Sequence, residues 1–301
     1  MAKKGSWDGK TRGGIAGYTI FHLILKYLGI SFAYFILYFV AFYFLLCGGK
    51  STTSSFQYFR HTLGYSFFKS IWSVYICYYK FGQTILDKVA ILSKKDHPFT
   101  SNSIGAKTLW KLAEDGKGAI LISAHLGNWE IAGHFLKKLS VPINIVLFDG
   151  EHEKIKDMLD NVLKEKRFKI IAIKDDFSHL IEINRALRAK EFICIHGDRY
   201  SDHAKGKTMR MNFLGKEAIF PMGPFSLVSR LKVPHAFVFA LKVKKYHYEF
   251  YAFEGQSAPI KVEEVLQSYV ERLEIMVKKY PTQWFNFYKF WEEKEEFKKL
   301  G

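Results

Sequence analysis

Two side chains that can carry out proton transfer, His125 and Glu130, lie five positions apart where the hydropathy pattern changes. The apolar segment 118–123 before them is short, begins with glycine and predicts a buried strand. The amphipathic segment 129–139 predicts a helix, with Asn128 as its N-cap and Glu130 in its first turn. On one regular helix the two side chains would point about 140° apart. Across a strand–loop–helix junction they can converge.

A converged imidazole and carboxylate form a general base. A carboxylate bonded to one ring nitrogen of His125 fixes the tautomer and leaves the other nitrogen free to take a proton. Such a pair suits a hydroxyl or amine that attacks an acyl group, and amide N–H groups around Gly127 and Asn128 could stabilise the oxyanion. The alternative is a structural His125 beside Glu130 as an ordinary first-turn acid. The spacing alone leaves both interpretations open.

A second polar turn follows the apolar segment 192–196. Asp198 and Arg199 emerge at the end of this predicted strand, where Arg199 could grip a phosphate or carboxylate bidentately while Asp198 orients it. A surface ion pair is the alternative. The stretch 205–224 mixes cations with apolar residues, which suits a membrane surface, the mouth of an acyl tunnel or an ordinary solvated hairpin. The cations that could attract an acidic donor or an anionic lipid are Lys205, Lys207 and Arg210.

Short strands and helices alternate from about residue 101 onward. This pattern predicts an α/β fold, with a mostly parallel central sheet flanked by helices and an antiparallel pair near Tyr246. The predicted strands are 119–123, 143–148, 169–173, 192–196, 235–243 and 247–253. The predicted helices are 107–114, 129–139, 151–165, 178–189, 224–231 and 261–279. Catalytic groups in such sheets gather beyond the carboxyl ends of the strands. His125 and the turn at Asp198 both fall there.

The region before this fold is strongly apolar. Residues 28–47 form an uncharged run of 20 residues, long enough to cross a hydrocarbon core of about 30 Å. Lys26, Lys50 and several tyrosines make a helix lying in the interface a real competitor. A second long helix is predicted over 63–92, after a hinge at 48–51. The predicted organisation is a membrane-associating helical region, 1–97, before an α/β domain, 98–301.

The charges around the apolar run indicate its orientation. Lys3, Lys4, Lys10 and Arg12 precede it and place the N-terminus in the cytoplasm. A true single span would export the remaining chain, which conflicts with three unpaired cysteines that suggest a reducing compartment. We therefore expect a membrane-embedded helix that leaves the catalytic part on the cytoplasmic side.

The overall charge favours an anionic partner. Lys and Arg total 45 against 29 Asp and Glu, a net charge of +16, which suits nucleic acid, acidic lipid or a carrier-bound substrate. Nucleic-acid binding is the main non-enzyme alternative, but the aromatic residues concentrate in the apolar N-terminal region instead of alternating with the cations. A membrane-anchored structural protein would not account for two polar turns at strand ends. The histidines lack metal-site spacing, so no metal is predicted.

Several motifs, in order, resemble one family. His125-Leu-Gly-Asn-Trp-Glu130 resembles the His-four-residues-acid signature of the lysophospholipid acyltransferase superfamily, and most closely its bacterial lipid A lauroyl/myristoyl acyltransferase branch. Further segments that resemble this branch are Gly197-Asp-Arg199, Phe213-Leu-Gly215, Phe220-Pro-Met-Gly-Pro224, Val233-Pro234 and Tyr280-Pro-Thr-Gln-Trp-Phe285. The second block and the segment after Trp284 depart from the branch, which leaves the acceptor open among a lipid A precursor, a lysolipid, an aminolipid and a glycolipid.

The resemblance implies transfer of a fatty acyl group from an acyl carrier protein or coenzyme A thioester to a hydroxyl or amine of a lipid-like acceptor. His125 would be the general base and Glu130 its partner, with Asp198 and Arg199 as positioning residues. No metal or prosthetic group is implied. The expected location is the bacterial inner membrane, with the catalytic part on the cytoplasmic face and no nucleic-acid partner.

Overall fold

The computed structural model describes residues 21, 23–93, 97–128, 131, 139, 141–148, 168–173, 176–199, 208–256 and 260–291. Within these ranges the helices are α1 (Gly29–Cys47), α2 (Lys50–Gln57), α3 (Phe67–Ser93), α4 (Ala106–Glu114), α5 (Ser178–Arg188), α6 (Gly223–Leu231) and α7 (Val262–Lys279). The strands are β1 (Thr100–Ile104), β2 (Ala119–Ser123), β3 (Ile143–Phe148), β4 (Phe168–Ile173), β5 (Phe192–His196), β6 (Thr208–Phe213), β7 (Lys216–Pro221), β8 (His235–Lys244) and β9 (His247–Glu254). The predicted helix 151–165, and 129–139 except Ile131 and Leu139, lie outside the described residues.

A mostly parallel sheet forms the centre of the molecule. Among the described residues, its strand order is β1-β9-β8-β2-β5-β3-β4, and every neighbouring pair is parallel except β8 with β9. All five residues of β2 are buried, because helices or loops cover both faces of a parallel sheet. The predicted α/β fold class and the antiparallel pair near Tyr246 are therefore confirmed.

Two features differ from the predicted elements in the α/β part. The edge strand β1 was not predicted, because Thr-Ser-Asn-Ser-Ile has no apolar alternation and all five residues are exposed. The stretch 205–224, left open between strands and loops, contains the β6–β7 hairpin. Leu214 and Gly215 make its two-residue turn, with φ of +54° and +77°, the backbone signs of a type I′ turn.

The N-terminal helices also depart from prediction in their bounds. Gly49, with φ of +55°, turns the chain after α1, but Lys50 and Ser51 of the predicted hinge already belong to α2. A short π-helical turn over Tyr58–Thr62 follows, so α3 begins at Phe67 and not at Leu63. The predicted division of the chain at residue 97 stays a prediction.

Helix α1 packs against α3 along its length. The rings of Tyr38 and Tyr79 stack with centroids 4.4 Å apart, and a Cβ at Gly82 would lie 2.4 Å from Leu37 Cδ1. The opposite face of α1 is exposed and aromatic, with Phe39 62% exposed. Among the described residues, α1 is the one helix long and apolar enough to cross a membrane. Only 22% of its most apolar 18-residue stretch is buried. It is therefore a candidate membrane-associating helix.

A buried carboxylate ties α1 and α3 to the sheet. Asp87 of α3 is fully buried and accepts hydrogen bonds from the hydroxyls of Tyr34 and Tyr248 and, at 2.5 Å, from Lys242 Nζ. Burial raises the pKa of Asp87 and lowers that of Lys242, against their mutual attraction. Asn128 donates to Tyr248 at 3.4 Å and to the Thr84 carbonyl at 3.0 Å. This cluster therefore connects the apolar helix to the turn after His125.

Burial of His235 makes stability depend on pH. Its ring is 3% exposed, neither ring nitrogen has a hydrogen-bond partner among the described residues, and burial lowers its pKa to about 4. In the unfolded chain the pKa is about 6.5. The unfolded state therefore binds the proton first, and stability falls as pH drops from about 6.5 towards 4.

We expect His235→Phe to remove this pH dependence. The substitution should abolish a loss of roughly 2 kcal/mol in the free energy of unfolding between pH 7 and pH 5. Denaturant unfolding of the detergent-solubilised protein, followed by tryptophan fluorescence, measures this loss. The matched control is His61→Phe at an exposed site, which should leave the pH slope unchanged. An unaltered slope in His235→Phe would contradict the assignment.

Candidate active site

His125 and Asp198 meet at the carboxyl edge of the sheet. Strands β2 and β5 are parallel neighbours with Ser123 opposite His196, so the residues that follow each strand emerge side by side. His125 Nδ1 and Asp198 Oδ1 are 2.8 Å apart, and the backbone N–H of His125 donates to Asp198 Oδ2 at 2.9 Å. The predicted convergence of the two polar turns at one sheet edge is confirmed.

The imidazole of His125 remains accessible on one side. Its side chain is 18% exposed, whereas that of Asp198 is 1% exposed. Since Asp198 engages Nδ1, this pairing favours the tautomer with its proton on Nδ1 and an unprotonated Nε2. Such a histidine can accept a proton from a group that reaches Nε2.

Burial by itself would raise the pKa of Asp198. The attraction of His125 and the hydrogen bond between them outweigh burial and, with help from Arg199, hold the pKa of this carboxyl below its usual range. Asp198 is therefore ionised at neutral pH. A fixed negative charge at this position stabilises the imidazolium that forms when His125 takes up a proton.

The ring of His196 lies against the ring of His125. Its ring centroid is 4.2 Å from that of His125, with the planes inclined by 60°. Burial, and next the proximity of His125, lower the pKa of His196 well below its usual value. The ring therefore stays neutral and adds no positive charge against a protonated His125.

The segment Gln283-Trp-Phe285 holds the turn that carries His125. The Gln283 side chain bonds to both the N–H and the carbonyl of Lys242 at 2.9 Å, and its own carbonyl accepts from Gly127 at 2.8 Å. The N–H of Phe285 donates to the His125 carbonyl at 2.9 Å. Trp284 Nε1 lies 3.4 Å from Asp198 Oδ2, a long contact. Sequence reasoning identified this segment only as a resemblance and missed its positioning role.

The predicted oxyanion donors are engaged elsewhere. Gly127 N–H donates to the Gln283 carbonyl, and Asn128 N–H donates to the Ala240 carbonyl at 2.8 Å. The Asn128 side chain is buried in the cluster around Asp87. These two residues shape the turn, and in this structure neither amide N–H is available to an oxyanion.

Gly127 is required by both conformation and space. Its φ is +74°, and a Cβ there would lie 2.0 Å from the Ala240 carbonyl oxygen. We expect Gly127→Ala to destabilise the protein by about 2–4 kcal/mol and to reduce activity, because β8 or the His125 turn must move. Thermal unfolding and an acyl-transfer assay measure the two effects.

Gly215→Ala is the matched control for this substitution. Gly215 has φ of +77° but nothing within 4 Å of an added Cβ. It should therefore show only the cost of backbone strain, about 1 kcal/mol. Equal losses in the two variants would contradict a steric requirement at Gly127.

The remaining predicted site residues are placed differently. Arg199 donates to the Phe285 carbonyl, and its guanidinium carbon is 5.7 Å from the centroid of the Tyr288 ring. Asp198 bonds to His125 instead of orienting Arg199 as predicted. Arg210 pairs with Glu217 at 3.0 Å on the exposed face of the β6–β7 hairpin. Glu130, Lys205 and Lys207 lie outside the described residues, so their predicted roles stay predictions.

A metal ion would compete with the hydrogen bond at this site. Ligand atoms of His125, His196 and Asp198 lie within 4.8 Å of one another, a spacing that a cation could bridge. However, the 2.8 Å contact between His125 Nδ1 and Asp198 already satisfies both groups. The prediction that no metal takes part stays a prediction.

Fold and site together define a class: an α/β protein with a histidine–carboxylate pair at a parallel-sheet edge and an apolar helix packed on α3. The model of the family "bacterial lipid A biosynthesis acyltransferase" matches residues 77–293, more than two thirds of the chain. The chain therefore belongs to this family, as its motifs predicted. Membership means acyl transfer to a lipid-like acceptor and association with bacterial membranes. No curated protein sequence matches the chain.

Proposed function

We propose that His125 is the general base of acyl transfer and that Asp198 orients it. The observation that carries this proposal is the 2.8 Å bond from the accessible imidazole to a carboxylate that is 1% exposed. In the reaction, His125 Nε2 takes the proton of the acceptor hydroxyl or amine as its oxygen or nitrogen attacks the thioester carbonyl. The carbon–sulfur bond then breaks, and the proton returns from His125 to the departing thiolate.

Glu130 is retained as a second proposed catalytic carboxylate. Since Asp198 already engages Nδ1, a carboxylate at Nε2 would occupy the nitrogen that must accept the proton. We therefore propose that Glu130 positions the acceptor or the His125 turn, while Asp198 orients the His125 ring. Arg199 supports the same turn, because it donates to the Phe285 carbonyl and Phe285 donates to that of His125.

The donor is proposed to be a fatty acyl thioester of acyl carrier protein or coenzyme A. Both carry phosphate and other negative charges, which suit a chain with a net charge of +16. Arg210 can contribute, because its pair with Glu217 is exposed, worth little and easily exchanged. Lys205 and Lys207 are proposed for the same role. The acceptor is a hydroxyl or amine of a lipid A precursor, lysolipid, aminolipid or glycolipid.

The enzyme is proposed to sit on the cytoplasmic face of the bacterial inner membrane. Near its start, α1 meets the β8–β9 hairpin through Ser31 Oγ and the Tyr246 hydroxyl, 2.7 Å apart. Near its end, Phe44 contacts Tyr78 of α3, with ring centroids 5.9 Å apart. A helix docked at both ends favours half-insertion, with its aromatic face in the lipid. Half-insertion would keep the α/β part on the cytoplasmic side without export.

A labelled-donor assay tests this function. Purified protein in detergent is given a radiolabelled fatty acyl-carrier protein or acyl-coenzyme A together with a bacterial lipid extract, and the product is analysed by mass spectrometry. We expect a new acylated lipid from one of the donors, with the acceptor and chain length read from its mass. Failure of both donors to label any lipid would overturn the proposal.

A further inference from the structure

A basic cavity of about 540 Å³ lies away from His125, between α1, α3 and the β8–β9 hairpin. Four lysines line it: Lys80 from α3 and Lys242, Lys244 and Lys245 from the hairpin. The remaining lining consists mainly of tyrosines, other polar side chains and Phe35. None of the described lining residues is acidic, so the cavity is suited to an anion.

One of the four lysines, Lys242, is already paired with a buried carboxylate. Lys242 Nζ is 2.5 Å from an oxygen of the buried Asp87 carboxylate. In the described part of the chain, Lys80, Lys244 and Lys245 form no ion pair, although Lys245 Nζ lies 3.5 Å from Ser31 Oγ. Burial lowers the pKa of Lys80, as expected for an amine that is partly removed from water. Three positive charges therefore line the cavity, and none of them is paired with a carboxylate of the described residues.

One wall of the cavity belongs to the membrane-associating helix. Phe35 and Tyr38 of α1 line it and are 53% and 47% exposed. The polar groups of Ser31 and Gln83 line the same space. A ligand here meets ammonium groups and hydroxyls on one side and an apolar, lipid-facing helix on the other. Phosphate at the head of an acyl-chain lipid has this combination of properties.

We propose that this cavity binds the phosphate headgroup of an anionic membrane phospholipid as a docking site separate from acyl transfer. The Asp87 carboxylate lies between the cavity and the turn that carries His125. It bonds to Lys242 on the cavity side and to Tyr248 on the other side, and Tyr248 accepts a hydrogen bond from Asn128 of that turn. The bound lipid would fix the depth and tilt of the enzyme, because it bridges α1 and the hairpin. This inference rests on membrane association and does not depend on the catalytic roles of His125 and Asp198.

The test removes two cavity charges. Lys80→Gln/Lys244→Gln is compared with Lys107→Gln/Lys117→Gln, which removes the same charge from exposed positions outside the cavity. Lys242 is left intact because its removal would leave the buried Asp87 carboxylate without its counter-ion. Each protein is floated with phosphatidylcholine vesicles that contain phosphatidylglycerol, or oleate at the same surface charge.

We expect the cavity variant to lose affinity for phosphatidylglycerol vesicles by about fivefold per lysine, or about 25-fold in all. The control variant should lose much less, and binding to oleate vesicles should separate the two variants only slightly. Equal losses in both variants, or equal dependence on the two anionic lipids, would reduce the effect to general surface charge and overturn the proposal.

Two further readouts separate the alternatives. Calorimetric titration with inorganic phosphate distinguishes a soluble anion from a lipid headgroup: phosphate binding that the cavity variant loses, without any change in vesicle affinity, would also overturn the proposal. Acyl transfer in detergent should stay near the wild-type rate in the cavity variant. Circular dichroism checks that each variant is folded. If the wild-type protein itself shows no labelled-donor activity, that result contradicts the proposed acyl-transfer chemistry and not the lipid-docking site.

Discussion

Replacement of His125 by alanine is expected to lower the turnover number of acyl transfer by about 10²–10⁴-fold. The substitution removes the proton acceptor at the sheet edge while Asp198 keeps its bonds to the backbone N–H of residue 125 and to Trp284. The main effect should therefore be on turnover, with a smaller change in the Michaelis constant for the lipid. Initial rates with the labelled donor in detergent measure both.

His125→Gln and His61→Ala complete this experiment. Glutamine retains hydrogen-bonding ability but cannot act as a base near neutral pH, so it should be nearly as inactive as alanine. His61 is exposed on the π-helical turn and should be replaceable without loss of rate. Near-wild-type turnover in a folded His125→Ala protein would remove this histidine from the chemistry.

Asp198→Asn is expected to lower turnover by a similar factor, about 10²–10⁴-fold. An asparagine amide can donate to Nδ1 of His125, which places the ring proton on Nε2 and removes the free base. It also removes the negative charge that stabilises the imidazolium. Because the change acts through the histidine, the pH dependence of turnover should shift as well as its magnitude.

Glu130→Gln distinguishes the two carboxylates. We expect it to lower turnover by about 10²-fold, with a smaller shift in the pH profile than Asp198→Asn, since Asp198 still orients His125. An unchanged rate in Glu130→Gln would leave Asp198 as the sole carboxylate of the pair. The reverse result, an active Asp198→Asn and an inactive Glu130→Gln, would show that the observed pairing is not the catalytic one.

The Asp198 substitution also has a stability signature. Its pKa is depressed in the folded state, so the carboxylate stabilises the fold above its unfolded pKa of about 3.9, and this contribution is lost as pH falls through the lower folded value. The difference in unfolding free energy between wild type and Asp198→Asn should therefore be constant near neutral pH and shrink in acid. Denaturant titrations across this range measure the difference.

The sheet and its polar edge could be predicted because they depend on local patterns. The buried apolar strands β2 and β5 are each followed by a turn, and parallel pairing brings those turns together. The identity of the carboxylate that bonds to His125 could not be read in the same way, because Asp198 is 73 positions away in sequence. Proximity in the chain predicts Glu130 as a partner of His125, whereas the register of β2 against β5 is what brings Asp198 to the Nδ1 atom.

The positioning role of residues 283–285 required tertiary information for a similar reason. A glutamine and a tryptophan after a proline carry no local signal of what they contact. Gln283 becomes informative only when β8 presents both polar groups of the Lys242 backbone to its side chain. The exposed edge strand β1 was missed because its pairing with β9 depends on backbone hydrogen bonds and not on apolar side chains.

The bond from Tyr34 to Asp87 has a practical consequence for making this enzyme water-soluble. Removal of α1 would take away the Tyr34 hydroxyl, one of the donors to the buried Asp87 carboxylate, which also bonds to Lys242. Loss of a hydrogen bond to a buried charged group costs about 1.5–3 kcal/mol, a large share of the net stability of many proteins. A version without α1 would need Asp87 and Lys242 replaced together by apolar residues, because this candidate membrane-associating helix also stabilises the fold.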